Sequence, residues 1–291
     1  MFAPKPGPSF SHSPAHRASH DELVAPLIKV GRELGEVTSI GEVHTASRSY
    51  DITGLILRDR TNPSPHHVFL AGGVHGEEPA GALAVARFCE LLARDYLRDF
   101  TFHIVPCVNP EGFDLGRRFG AGGRDLNRSF LPQSSEPECR AVMDWVSSLR
   151  PRSRDSYQLS LDLHEIDPNW SAEGFAAQDN PQNFYLYEVC EERHRRIGKR
   201  VLEAGARFGA PCLWDTIYED KNCGGVVSYP EANGNKVYAE PVTLEGWMAQ
   251  EFTRQSFTFE TPCGWPLEQR VNVHLAMLEE ALKATRERLS R

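Results

Sequence analysis

Apolar positions recur along the chain with two different periods, and the alternation of those periods outlines a fold. Leu23, Leu27, Val30 and Leu34 share one helical face. Ser19-His20-Asp21-Glu22 ahead of them has the form of a capping box, and Gly35 behind them suits a helix end. The period then shortens. Residues 37–58 hold two β-like runs, with Tyr50, Ile52, Leu55 and Leu57 among the apolar positions, and predict a hairpin. After the turn Asn62-Pro63-Ser64-Pro65, a strand is expected from His66 to Gly72. Pro79 then opens a helix running to about Arg94, with Leu83, Phe88, Leu91 and Leu92 for its buried face.

Phe100 to Val108 predicts a further strand, closed by the strong turn signal Asn109-Pro110-Glu111-Gly112. Little periodicity follows until a helix from Ser135 to about Leu149 and a strand from Gln158 to His164. A long helix is expected from Asn183 to Phe208, with Glu191, Glu192, Arg193, Arg195 and Arg196 on a solvated face. Cys212 to Arg254 reads as irregular, Ser256 to Glu260 as a strand, and Pro266 to Leu289 as a final helix. Strands alternating with helices predict an α/β fold: a single-domain, three-layer α/β/α arrangement around a mixed, mostly parallel sheet. It would occupy residues 19–291, after a mobile tail over 1–18.

Composition narrows the function more than the fold. The net charge is −8, which argues against nucleic acid as a partner. No run of about eighteen apolar residues exists to span a membrane. The first twenty residues are rich in Pro, Ser and His, including His12, His16 and His20, and lack the apolar core of a signal peptide. Seven cysteines, an odd number without a C-x-x-C pair, suit reduced thiols in a cytoplasmic protein.

The candidate chemistry lies at predicted strand ends. His75 and Glu78 follow the strand ending at Gly72, in a glycine-rich turn able to aim an imidazole and a carboxylate at one point. An isolated H-x-x-E recurs by chance, so the pair needs company. His164 closes another strand, and carboxyl ends of strands are where ligands gather in open α/β sheets. Two histidines and a glutamate leave a fourth zinc position for water. Between these segments, residues 116–130 set several arginines in a glycine-rich loop of an acidic protein, which calls for anionic partners. Glu260 ends an apolar strand, where a partly desolvated carboxylate beside a metal-bound water can take and return a proton.

His75-Gly76-Glu77-Glu78, Asp125-Leu126-Asn127-Arg128, Asp162-Leu163-His164 and Phe257-Thr258-Phe259-Glu260-Thr261-Pro262 stand in an order that resembles the M14-type zinc metallocarboxypeptidases. Ser39-Ile40-Gly41 is similar to that family's opening segment, so the resemblance spans about residues 37–285. It implies one Zn²⁺ per chain held by His75, Glu78 and His164, with Asp125 orienting a zinc histidine. Asn127 and Arg128 would bind the substrate's terminal carboxylate, Arg118 would polarise the scissile carbonyl, and Glu260 would be general base and acid. Thr216-Ile217-Tyr218 resembles the mobile tyrosine loop, which makes Tyr218 the candidate and leaves Tyr229 and Tyr238 as rivals. The implied substrate is a peptide, or a small amino-acid derivative, with a free carboxylate. Arg124-Asp125-Leu126-Asn127-Arg128 also resembles the succinylglutamate desuccinylase/aspartoacylase branch, which cleaves N-acyl amino acids. A zinc-binding interaction protein that keeps the fold without catalysis is a third reading.

Overall fold

The structure, a computed structural model, describes residues 18–46, 48–167, 175–230 and 242–290. The expected tail falls outside them, except for Ala18. Helix α1 (His20–Leu34) starts at Ser19, whose side chain and that of Glu22 form the reciprocal capping box. His20 is buried at this helix start, where its backbone nitrogen donates to Asp114 Oδ1. Strands β1 (Gly35–His44) and β2 (Ser49–Leu57) form the expected antiparallel hairpin. There follow β3 (His67–Gly72), α2 (Pro79–Leu91), β4 (Thr101–Val105), α3 (Pro110–Leu115), α4 (Pro137–Leu149) and β5 (Leu159–Ile166). The chain continues through β6 (Tyr185–Val189), α5 (Gly198–Gly205), β7 (Thr216–Ile217), β8 (Asp220–Lys221), β9 (Val226–Tyr229), α6 (Leu244–Glu251), β10 (Ser256–Pro262) and α7 (Leu267–Leu289).

Among the described residues, eight strands form one sheet in the order β1-β2-β4-β3-β5-β10-β6-β9. The central strands β4, β3, β5 and β10 are parallel, whereas β2 joins β4 and β6 joins β10 antiparallel. Helices α1, α2, α5 and α7 cover one face, with Leu27, Phe88, Val201 and Met277 in a shared apolar core. Helices α4 and α6 cover the other through Val142, Trp145, Trp247 and Met248. The sheet between two helical layers is therefore the predicted three-layer α/β/α architecture. Each fully buried large apolar side chain contributes about 1.5–3 kcal/mol, and the four central strands are buried on both faces.

Three segments differ from expectation. Asn109 does not close a turn but caps α3, its Oδ1 accepting from Gly112 N at 2.9 Å. The long helix expected over 183–208 is a strand, a short connection and a shorter helix. Tyr185-Leu186-Tyr187-Glu188-Val189 pairs with β10 and β9, and those partners decide a short apolar run whose period is ambiguous alone. Glu188 in that strand then accepts from Ile197 N and Gly198 N, fixing where α5 begins. The irregular stretch 212–254 holds β7, β8, β9 and α6; residues 231–241 within it, including Tyr238, lie outside the described residues.

Candidate active site

The strand order turns back on itself at β3: β4 lies on one side, the later β5 on the other. Such a reversal opens a crevice beyond the carboxyl ends of the strands. The turn after β3 enters it. Gly73 has φ +63°, a left-handed conformation that favours glycine. At Gly76 a Cβ would lie 1.9 Å from the Gly112 carbonyl carbon, so only glycine lets this turn pack against α3. Pro79 then starts α2, leaving His75 and Glu78 on the turn itself.

His164 reaches the same crevice from β5, and Glu260 sits opposite it in the parallel β10 register. His75 Nδ1, a Glu78 oxygen and His164 Nδ1 converge: Glu78 Oε1 lies 2.7 Å from His75 Nδ1, and Oε2 lies 2.9 Å from His164 Nδ1. The three groups offer ligand atoms within 4.8 Å of one another and all are buried. Behind them, His75 Nε2 meets Asp125 Oδ1 at 2.9 Å and His164 Nε2 meets Asp162 Oδ2 at 2.9 Å. A carboxylate behind each imidazole fixes the ring and raises its basicity, the usual support for a metal-binding histidine. Two nitrogens and one carboxylate oxygen match zinc's preferences, so the donor set fits that ion.

The electrostatics point the same way. Burial opposes a charged imidazole, yet Asp162 and Glu78 override it and hold His164 well above its ordinary value. His75 is raised against burial by Glu78 and Asp125. Glu78 is pulled well below the carboxylate range, against burial, by the two imidazoles. A centre with this many carboxylates demands positive charge, whether from protons or from a cation. Burial pushes Glu260 up to about 8, against the pull of nearby His164. This is the environment in which a carboxyl group can hold and release a proton near neutrality.

Arg118 joins the centre. Its Nη1 donates to Glu78 Oε1 at 3.2 Å and its Nε to Asp125 Oδ2 at 3.2 Å. Asn127 and Arg128 follow on the same loop but differ in setting. Asn127 is buried, and its Oδ1 accepts from Leu244 N at 3.0 Å, which ties the loop to the start of α6. Arg128 is exposed, with Nη1 donating to the Asn127 carbonyl at 2.8 Å. Tyr218 is at the tip of the β7–β8 hairpin, where it and Glu219 have φ of 48° and 71°. Non-glycine residues seldom adopt such values, and strain of this kind gathers at functional loops. The Tyr218 hydroxyl donates to Asn180 at 2.7 Å, and Glu260, Arg118 and Glu78 are near enough to act on it electrostatically. Tyr229 instead gives its hydroxyl to Asp220.

Two contributors carry little or no local signal. Asp162 stands in the segment Asp162-Leu163-His164, but its role is marked only by the i, i+2 spacing that puts it on the same strand face as His164. Glu165, on the opposite face, is buried; its amide donates to Glu78 Oε2 at 2.9 Å, and its carboxylate pairs with Arg270 and takes Ala80 N at 2.6 Å. Nothing in the local sequence links Glu165 to Arg270 on α7.

Comparison with known proteins places this geometry. Residues 64–196 match the succinylglutamate desuccinylase/aspartoacylase catalytic domain. Carboxypeptidase SOL1 of Arabidopsis thaliana is 27% identical over 176 residues, 50% of this chain and 34% of that protein. Murein peptide amidase A of Escherichia coli (strain K12) is 32% identical over 164 residues, 52% of this chain and 61% of that protein. The chain thus resembles the M14-type metallocarboxypeptidases in the segments these comparisons cover. It spans between a third and two thirds of the length of these two curated relatives. A Shewanella amazonensis protein provisionally designated a metallopeptidase has a similar fold, with a TM-score of 0.68 at 19% identity over 90% of both chains. No helix among the described residues is long and apolar enough to cross a membrane.

Proposed function

We propose that the chain is a zinc-dependent metallocarboxypeptidase that hydrolyses the C-terminal peptide bond of a peptide. The observation carrying this reading is the convergence of His75 Nδ1, Glu78 and His164 Nδ1, with Glu260 beside His164 on the next strand. His75, Glu78 and His164 would hold one zinc ion, Asp125 and Asp162 steadying the two rings. The ion supplies a Lewis acid and makes a water molecule more acidic. Glu260 accepts the proton of the attacking water and delivers it to the leaving nitrogen. Arg118 donates to the carbonyl oxygen as negative charge develops there. Asn127 and Arg128 take the terminal carboxylate, and Tyr218 closes over the bound substrate. We read residues 19–291 as one catalytic domain and the compartment as cytoplasmic, consistent with an odd number of cysteines and no C-x-x-C pair in the sequence.

A second reading is favoured by the match over residues 64–196 and by Arg124-Asp125-Leu126-Asn127-Arg128: hydrolysis of an N-acyl amino acid. The two bonds are both amides, so the same residues would serve. Assay of the zinc-loaded chain on N-blocked peptides and on N-succinyl and N-acetyl amino acids separates them. Release of a C-terminal amino acid from the peptides alone is expected. Turnover of the acyl amino acids alone assigns the second reading, and no turnover of either class contradicts both.

A further inference from the structure

The amino ends of the central strands carry a second group of polar residues that the hydrolytic reading does not use. A cavity of about 280 Å³ is lined there by Arg58, Ser64, His67, Thr101, His103 and Arg150, among others. Its size is at the lower end for pockets that take small molecules. Among the described residues no carboxylate lines it, an unusual property in a chain of net charge −8. His67 opens β3, and β3 rises about 3.3 Å per residue, so the cavity is roughly 20 Å from the turn bearing His75.

The lining groups are short of partners. His67 Nδ1 and Arg150 Nε are both buried without a hydrogen-bond partner. Leaving a buried polar atom unmade is costly, and each such atom calls for an explanation. Arg58 spends Nη2 on Glu36, outside the cavity lining. His103 is fixed by a 2.6 Å contact between its Nδ1 and the Tyr157 hydroxyl, and its ring lies 5.2 Å from that of His67. Burial, with the charges of Arg150 and His66 acting the same way, lowers His67 to about 4. His103 goes to about 3 through burial and through His67, Arg150 and Arg58, so every charge acting on either ring is cationic.

We propose that this cavity is a binding site for a small phosphate-type oxyanion, as free phosphate or as a phosphate monoester, held by Arg150, Arg58 and His67. An anion there meets the unpartnered Nδ1 and Nε donors and relieves the mutual repulsion of the lining cations. Ser64 and Thr101 hydroxyls border the same space but already donate to the Asp99 and Ser64 carbonyls, so they serve as the wall rather than as donors.

The test is calorimetric titration of the full chain with inorganic phosphate, and separately with glycerol 3-phosphate, in a phosphate-free buffer. One oxyanion per chain is expected. Arg150→Met and, independently, Arg58→Gln should each weaken it at least about tenfold, with peptide turnover unchanged. Arg128→Met, at the other end of the strands, should leave it untouched. Tighter binding of the ester identifies an ester site and equal binding a free-phosphate site. The proposal is overturned if neither compound binds at millimolar concentration. It is equally overturned if binding survives both Arg150→Met and Arg58→Gln, or is lost only in Arg128→Met.

Discussion

The two ends of the same parallel strands treat histidine in opposite ways. Past the carboxyl ends, His75 and His164 face Glu78 and are backed by Asp125 and Asp162, and both are raised above the ordinary imidazole value. At the amino ends, His67 and His103 face arginines and each other, and both are lowered. Burial is common to the two sets and opposes charge in all four rings. What separates them is the sign of their neighbours, and that sign decides whether the site attracts a cation or an anion. The chain has thus placed an acidic centre and a basic cavity on one rigid sheet, about the length of a strand apart.

The sharpest way to break this comparison is at the acidic end. Glu260→Gln keeps the size and polarity of the side chain but removes its proton chemistry. Turnover should fall by about 10²–10⁴-fold with metal affinity little changed, as read by steady-state kinetics beside chelator competition. A variant that turned over normally would deprive Glu260 of its role.

Asp162→Asn probes the support behind His164 instead. The carboxylate lies 2.9 Å from Nε2, and its loss should weaken zinc binding by about 10–100-fold. Chelator competition measures that directly, and unchanged affinity would make Asp162 a bystander.

A further effect is expected at the basic end, in stability. His103 is held neutral in the folded chain, with a value of about 3 against the ordinary 6.5. The unfolded chain therefore binds an extra proton between those values, so stability is fully present above pH 6.5 and declines as pH falls below it. Over the two units from 6.5 to 4.5, this one group accounts for at most about 3 kcal/mol. His103→Gln should flatten that part of the urea-measured stability profile, and an identical slope in wild type and variant would contradict the assignment.

How much of the molecule is legible in its sequence follows from how local each signal is. Strands β3, β5 and β10 are apolar runs followed by polar residues, so the amino-acid order alone puts His75, His164 and Glu260 at strand ends. The capping box at Ser19 and the proline at the start of α2 are equally local. Strand β6 is not, because Tyr185–Val189 takes its identity from β10 and β9, which lie far along the chain. The Glu165–Arg270 pair joins residues 105 apart, and no periodicity reports it. The basic cavity is invisible in the sequence for the same reason: His67, His103 and Arg150 come from β3, β4 and the end of α4, and only the sheet brings them together.

The central claim is that three side chains from two strand ends share one divalent ion. Zinc content by atomic emission, with affinity by chelator competition, tests it in the wild-type chain and in His164→Ala. One tightly held zinc per wild-type chain, and its loss from the variant while the circular dichroism of the fold is retained, is the predicted result. Absence of tight zinc from the wild type, or full retention by His164→Ala, would contradict it.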